Sequence, residues 1–266
     1  MRNFRLFALS FLFCLPLISS CYMTYVGYPD ETGLPSDEGY HQVVQLGPGG
    51  TLSLENSNGD IRIIGWDGNE LEVIAEKRTL QPYDRRIQIY RPQHSIPEID
   101  FDRFEDFIKI KTISIPEDKE TSVVDYDINV PYSINLKGIT QERGNISIYD
   151  LYGAVSIALK EGDINIENFS GSLNVAVIDG SVSATLYDLR SEDEDIISTE
   201  KGDIVAYLQP EVKIRVEGSA PNGEISSEFD FGISLPAKKI STQIGKDGAL
   251  LSLSTLNGDI RIKKID

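Results

Sequence analysis

From Gly47 onward the chain alternates apolar and polar positions with few breaks. Pairs spaced by two recur as Leu52/Leu54, Ile61/Ile63, Leu71/Val73, Ile87/Ile89, Ile108/Ile110, Ile113/Ile115, Ile128/Val130 and Ile134/Leu136. A period of two places alternate side chains on one face of a strand, whereas an amphipathic helix repeats at three and four. No stretch shows the helical spacing, so the pattern predicts an all-β fold.

A longer period lies over the short one. Glycines fall at Gly144, Gly153, Gly162, Gly171 and Gly180, nine residues apart each time. Aligned on them, the chain reads GNISIYDLY, GAVSIALKE, GDINIENFS, GSLNVAVID and GSVSATLYD. The second position after each glycine is Ile146, Val155, Ile164, Leu173 or Val182; the fourth is Ile148, Ile157, Ile166, Val175 or Ala184. Both offsets point to one face of a short strand, and the residues left over turn a corner at the glycine. Two units then make one coil of a flattened tube with aliphatic side chains inside. Coils of this kind stack about 4.8 Å apart through parallel ladders. The expected fold is a single-stranded parallel β-helix, or β-solenoid of β-roll type, with glycine corners.

The theme continues with looser spacing at Gly202-Asp203-Ile204, Gly223-Glu224-Ile225 and Gly258-Asp259-Ile260. The acidic run Ser191 to Asp195 and the region Phe229 to Pro236 read as lengthened corners. Leu52 to Ile63 (LSLENSNGDIRI) nearly repeats Leu251 to Ile262 (LSLSTLNGDIRI), which predicts equivalent coils near the two ends. The stretch 81–120 is the least regular and reads as a separate subregion or insertion. The division expected is 1–20 leader, 21–46 tether, and 47–266 solenoid.

The leader reading rests on Arg2 and Arg5 before a short apolar run, Leu6 to Leu17, too short to cross a bilayer. Ile18-Ser19-Ser20-Cys21 closes it and resembles the lipobox of bacterial lipoproteins. That resemblance implies a diacylglycerol on Cys21, cleavage after Ser20, and a protein held to a membrane by its acyl chains. By the same resemblance Tyr22, where Asp in Gram-negative lipoproteins favours inner-membrane retention, favours the outer membrane if the cell is Gram-negative. Residues 22–46 are rich in Gly, Pro and acids and read as a tether, with His41 to Leu46 entering the first strand. The other cysteine, Cys14, falls inside the leader.

The net charge of −17 narrows the partners. A body this acidic repels phosphate backbones and anionic lipid surfaces, which argues against nucleic acid. Asp60, Asp163, Asp203 and Asp259 each follow a turn glycine. Calcium rolls place acids in that way but add further glycines. The simpler role is a turn carboxylate accepting nearby backbone amides. The two histidines, His41 and His94, sit in the tether and in a Pro-rich loop, and no hydrolase, phosphate-loop or dinucleotide motif occurs. No metal or cofactor is expected. Trp66, the sole tryptophan, ends a strand; it is suited to stacking on a sugar ring, but capping the apolar interior of an end coil is the favoured role.

Asn58-Gly59-Asp60-Ile61, Gly65-Trp66-Asp67-Gly68, Val130 to Leu136 and the glycine units, in this order, resemble the bacterial putative-adhesin domain family. The resemblance runs from about Gly49 to Ile265. It implies a parallel β-helix or β-roll in an envelope protein, with adhesion or envelope-stress roles and no catalytic residues. Asn145, Ala154 and Ser172 depart from the acid that often follows glycine there. The expected function is a lipid-anchored, non-catalytic binding or scaffolding protein of the cell envelope, taking glycans or envelope or host surface proteins. The alternative is a β-helical carbohydrate-active enzyme acting on an envelope or extracellular polysaccharide.

Overall fold

The computed structural model describes residues 38–79, 96–114 and 122–265. The expected leader, Cys21 and His94 lie outside them. The first strands are β1 (Glu38–Gln45), β2 (Thr51–Asn58), β3 (Ile61–Trp66), β4 (Glu70–Thr79), β5 (Glu98–Phe104), β6 (Phe107–Ile113) and β7 (Ser122–Pro131). The repeat units supply β8 (Asn135–Arg143), β9 (Ile146–Tyr152), β10 (Val155–Glu161), β11 (Ile164–Ser170), β12 (Leu173–Asp179) and β13 (Val182–Leu186). Next come β14 (Glu194–Lys201), β15 (Ile204–Leu208), β16 (Ile214–Ser219) and β17 (Ile225–Ser227). The last are β18 (Lys239–Ile244), β19 (Ala249–Asn257) and β20 (Ile260–Lys264). Among the described residues the fold is all-β.

The strands form two ten-stranded sheets. Sheet A runs β1-β4-β7-β3-β9-β11-β13-β15-β20-β17, and sheet B runs β18-β16-β19-β14-β12-β10-β8-β2-β6-β5. Consecutive repeat units alternate between the sheets, so each pair of units makes one rung, and each rung pairs in parallel with the next. Ile146, Ile164 and Val182 are partners in one inward column, as the 18-residue coil requires. That column continues through Ile204 and Ile260, and all five side chains are buried. Facing it, Leu52, Leu136, Val155 and Leu173 line up in sheet B and are equally buried. Each such side chain contributes about 1.5–3 kcal/mol by leaving water, so the stack is held mainly from within.

The ends depart from a simple coil. The rung β2–β3 lies between the rung β6–β7 and the rung β8–β9, although it precedes both in the chain. At the other end β19–β20 lies between β14–β15 and β16–β17. The two near-identical segments therefore occupy matching places, one rung in from the outermost parallel rung. Beyond the parallel stack, β4 and β1 extend sheet A antiparallel, and β5 and β18 do the same for sheet B.

Several expectations need correction. Strand pairing begins at Glu38, inside the segment read as tether. Within the stretch read as irregular, 98–113 forms a hairpin whose second strand, β6, joins the parallel stack. The acidic run is not wholly a corner either, because Asp195 lies in β14 and faces inward.

Candidate functional site

The corner between sheet B and sheet A carries the glycine column predicted from the repeat. Gly59, Gly144, Gly162, Gly180, Gly202, Gly258 and Gly223 stack in that order, each close against the backbone of the glycine before it. A Cβ on Gly162 would collide with the carbonyl oxygen of Gly144, and one on Gly180 with that of Gly162. Gly162 also holds φ +137°, a conformation that side chains resist. Gly153 and Gly171 stack in the same way at the opposite corner.

The residue after each corner glycine completes the ladder. Asp60 Oδ1 accepts the amide of Asn145 at 2.8 Å, Asn145 Oδ1 that of Asp163 at 3.0 Å, and Asp163 Oδ1 that of Ser181 at 2.8 Å. Ser181 Oγ accepts from Asp203, Asp203 from Asp259, and Asp259 from Glu224. The side chains therefore bridge from rung to rung. The amide of Asp259, aided by Arg261, holds the Asp203 carboxyl below the usual range against partial burial. Asn145 and Ser181 serve in the same chain because only an acceptor oxygen is needed, which explains the departure from Asp at 145; Ala154 and Ser172 follow the glycines of the opposite corner. On the inner side, Thr199 and Thr255 donate to the carbonyls of Gly180 and Gly202, and Gln141 donates to that of Gly59. The corner is a structural device in which one oxygen of each carboxylate accepts the next rung's amide. Among the described residues no group of three or more His, Cys, Asp or Glu side chains is placed to hold a metal.

Asp195 stands apart from that ladder. It is fully buried between Leu173 and Leu251, with Oδ1 accepting the Leu173 amide at 2.9 Å and Oδ2 without a partner. Burial pushes its carboxyl up to about 7 despite that amide. Such a value suits an acid catalyst, but the group is walled in by the rungs and no substrate could reach it.

The outer surfaces carry what remains. On sheet B a trench of about 1200 Å³ crosses the strands, floored by small residues such as Thr140, Ala158, Ala176, Ser198 and Ser254. At the opposite corner three aromatic rings lie exposed. Trp66 ends β3 at 39 % exposure, so it does not cap the interior as expected; Tyr132 and Tyr152 are exposed at 38 % and 43 %. The end of the stack beyond β17 is instead covered by Phe229 and Phe231, both buried and stacked at 6.2 Å. Tyr132 and Tyr152 were not singled out from the sequence: Tyr132 falls between two apolar pairs, and Tyr152 is the last residue of its nine-residue unit.

A family profile described as Toastrack DUF4097 matches residues 104–263, more than half of the chain. The chain belongs to the Toastrack DUF4097 family. This Toastrack chain is similar in structure to a putative cell adhesion protein from Clostridium sporogenes, with 15% identity and a TM-score of 0.48 over 86% of this chain and 100% of that one. A putative adhesin from Bacteroides fragilis shows 12% identity and a TM-score of 0.31, covering 87% and 99% of the two chains. A putative lipid binding protein from Parabacteroides distasonis shows 10% identity and a TM-score of 0.26, covering 86% and 97%. Among curated proteins, none matches the Toastrack chain in sequence.

Proposed function

We propose that the protein is a lipid-anchored, non-catalytic binding or scaffolding element of the bacterial cell envelope, built as a single-stranded β-solenoid and held to the membrane through Cys21. The observation that carries the reading is the division of labour in the rungs. Side chains at the glycine corners serve the next rung's backbone, and the aliphatic columns fill the interior. The outer faces are left as a rigid, acidic surface on which an extended partner can lie without ordering the protein first. Names given to the structural neighbours, among them a putative cell adhesion protein and a putative adhesin, are in keeping with that role.

The test has two arms. Mass spectrometry of the N-terminal peptide should find Cys21 acylated; an unmodified thiol removes the anchor. Incubation of the full chain with envelope polysaccharide should give retention without release of reducing ends. Steady product release would replace the binding reading with a carbohydrate-active enzyme.

A further inference from the structure

We infer that Trp66, Tyr132 and Tyr152 form a stacking platform for a neutral glycan, an assignment that rests on the binding reading above and gives it a partner class. The three residues follow one another along a corner of the stack. The Tyr132 amide donates to the Trp66 carbonyl at 3.1 Å, and the Tyr152 amide donates to the Tyr132 carbonyl at 2.8 Å. The rung ladder thus fixes their spacing. The rings are fixed as well: Tyr132 and Tyr152 meet edge-on with centroids 5.9 Å apart, and the indole packs over Gly68, where any Cβ would strike it. Exposed rings held this way lose little entropy when a ligand arrives.

Donor and acceptor chemistry then selects the ligand. The indole Nε1–H, the only donor of that ring, is engaged by the Glu70 carbonyl at 3.0 Å. Trp66 therefore offers a ligand its face but no hydrogen bond. A proline-rich peptide, rich in carbonyl acceptors and poor in donors, finds no indole donor here and would have only the Tyr132 and Tyr152 hydroxyls. Acidic residues neighbour the rings along the chain: Asp67 follows Trp66, and Asp150, whose Oδ1 accepts from the Asn168 amide, stands two residues before Tyr152. A pyranose has the matching chemistry, with apolar C–H faces for the rings and hydroxyl donors for the carboxylates. The net charge of −17 disfavours phosphorylated or uronic polymers, leaving neutral saccharides.

Because Trp66 is the only tryptophan, its emission reports this corner directly. The full chain is titrated with cellohexaose, laminarihexaose and mannohexaose, with polygalacturonate and a polyproline peptide as contrasting ligands. A saturable emission change with a neutral hexasaccharide is expected. The double variant Tyr132→Ala/Tyr152→Ala should bind about tenfold more weakly or worse, at an unchanged melting temperature. The platform is overturned if no neutral hexasaccharide changes the emission, if only polygalacturonate or polyproline does, or if the double variant keeps full affinity. Retention of the full chain on envelope polysaccharide with no emission change would overturn the platform alone. Cleavage of a hexasaccharide would overturn the binding reading beneath it.

Discussion

Between Gly144 and Lys201 the chain lays down one half-coil after another, each on top of the one two units earlier. At both ends it does something different: the outermost parallel rung comes from internal chain, a near-identical NGDIRI rung is slotted inside it, and antiparallel strands close three of the four sheet edges. Parallel stacking has no natural end, because each rung presents to the next the same open edge it received. The antiparallel strands β1, β4, β5 and β18 end the series at three edges, and at the fourth β17 meets an antiparallel bridge from Ala237. The middle thus shows what repetition builds, and the ends show what is needed to stop it.

The largest expected effect is in the middle. Gly162→Ala must relieve both a left-handed φ and a collision with the Gly144 carbonyl, so loss of about 4 kcal/mol or more is expected, enough to unfold a marginal domain. Gly47 has nothing within reach of a Cβ, and Gly47→Ala should be close to neutral. Chemical denaturation of the two variants measures the contrast. Equal midpoints would mean that the corner column relaxes freely and the stack is not held at its glycines.

Next in size is a rung that breaks the pattern. In the regular rungs the first inward amide pairs with a backbone carbonyl of the neighbouring coil, as Val155 does with Ser172 and Ile164 with Ser181. The excursion between Leu186 and Asp193 delays β14, and the Leu173 amide turns to the Asp195 side chain instead. A carboxyl replaces a missing carbonyl. Its affinity for the proton is raised in the fold, from 3.8 to about 7, so the protonated form is the one the fold favours. The associated stability is complete below the unfolded value and is lost as pH rises through about 7. Asp195→Asn keeps the acceptor and cannot ionise, so it should be the more stable protein at pH 8, by up to about 4 kcal/mol, and gain nothing near pH 4. Melting curves across pH decide it; parallel profiles for the two proteins would place the carboxyl in contact with water.

This rung also marks how far the sequence could be read. The inward columns and the glycine corner were legible, because both depend on residues at fixed offsets: Ile146, Ile164 and Val182 align as the nine-residue period requires. Asp195 was hidden inside an acidic run, where charge suggests solvent, since its role comes from an amide left over in a different coil. The rung exchange at the ends was hidden for a related reason. LSLENSNGDIRI and LSLSTLNGDIRI show that two coils are alike, but not which neighbours each will choose. The exposed corner of Trp66, Tyr132 and Tyr152 escaped because it joins residues from β3, the β7–β8 connection and β9, which only the exchanged rung order brings together.

The closing strands provide a smaller effect on stability with a distinct second readout. Ile240 in β18 is buried against the stack, and Ile240→Ala should cost about 2–3 kcal/mol. Loosening β18 also frees an edge of β16, so the variant should form larger species at high concentration, visible by light scattering. The same substitution at an exposed aliphatic, Ile178→Ala in the middle of sheet B, should do neither. If Ile240→Ala lost stability yet stayed monomeric at every concentration, β18 would be ordinary packing and not a stop.

The smallest effect tests whether the post-glycine acids are ladder pieces or ligands. Asp163 links two rungs through Oδ1, accepting the Ser181 amide at 2.8 Å, and its own amide is held by Asn145. Asp163→Ala removes one acceptor and leaves an exposed-side amide to water, a loss of about 1 kcal/mol. Asp163→Asn keeps the acceptor, as the native Asn145 does one rung away, and should match the parent in stability. A ligand role predicts a different order, in which the charge matters and the asparagine variant is as damaged as the alanine one in binding. Stability measured beside glycan retention separates the two: a parent-like Asp163→Asn in both assays assigns the carboxylate to the backbone of the next coil, whereas a stable protein that no longer binds would make this corner part of the recognition surface.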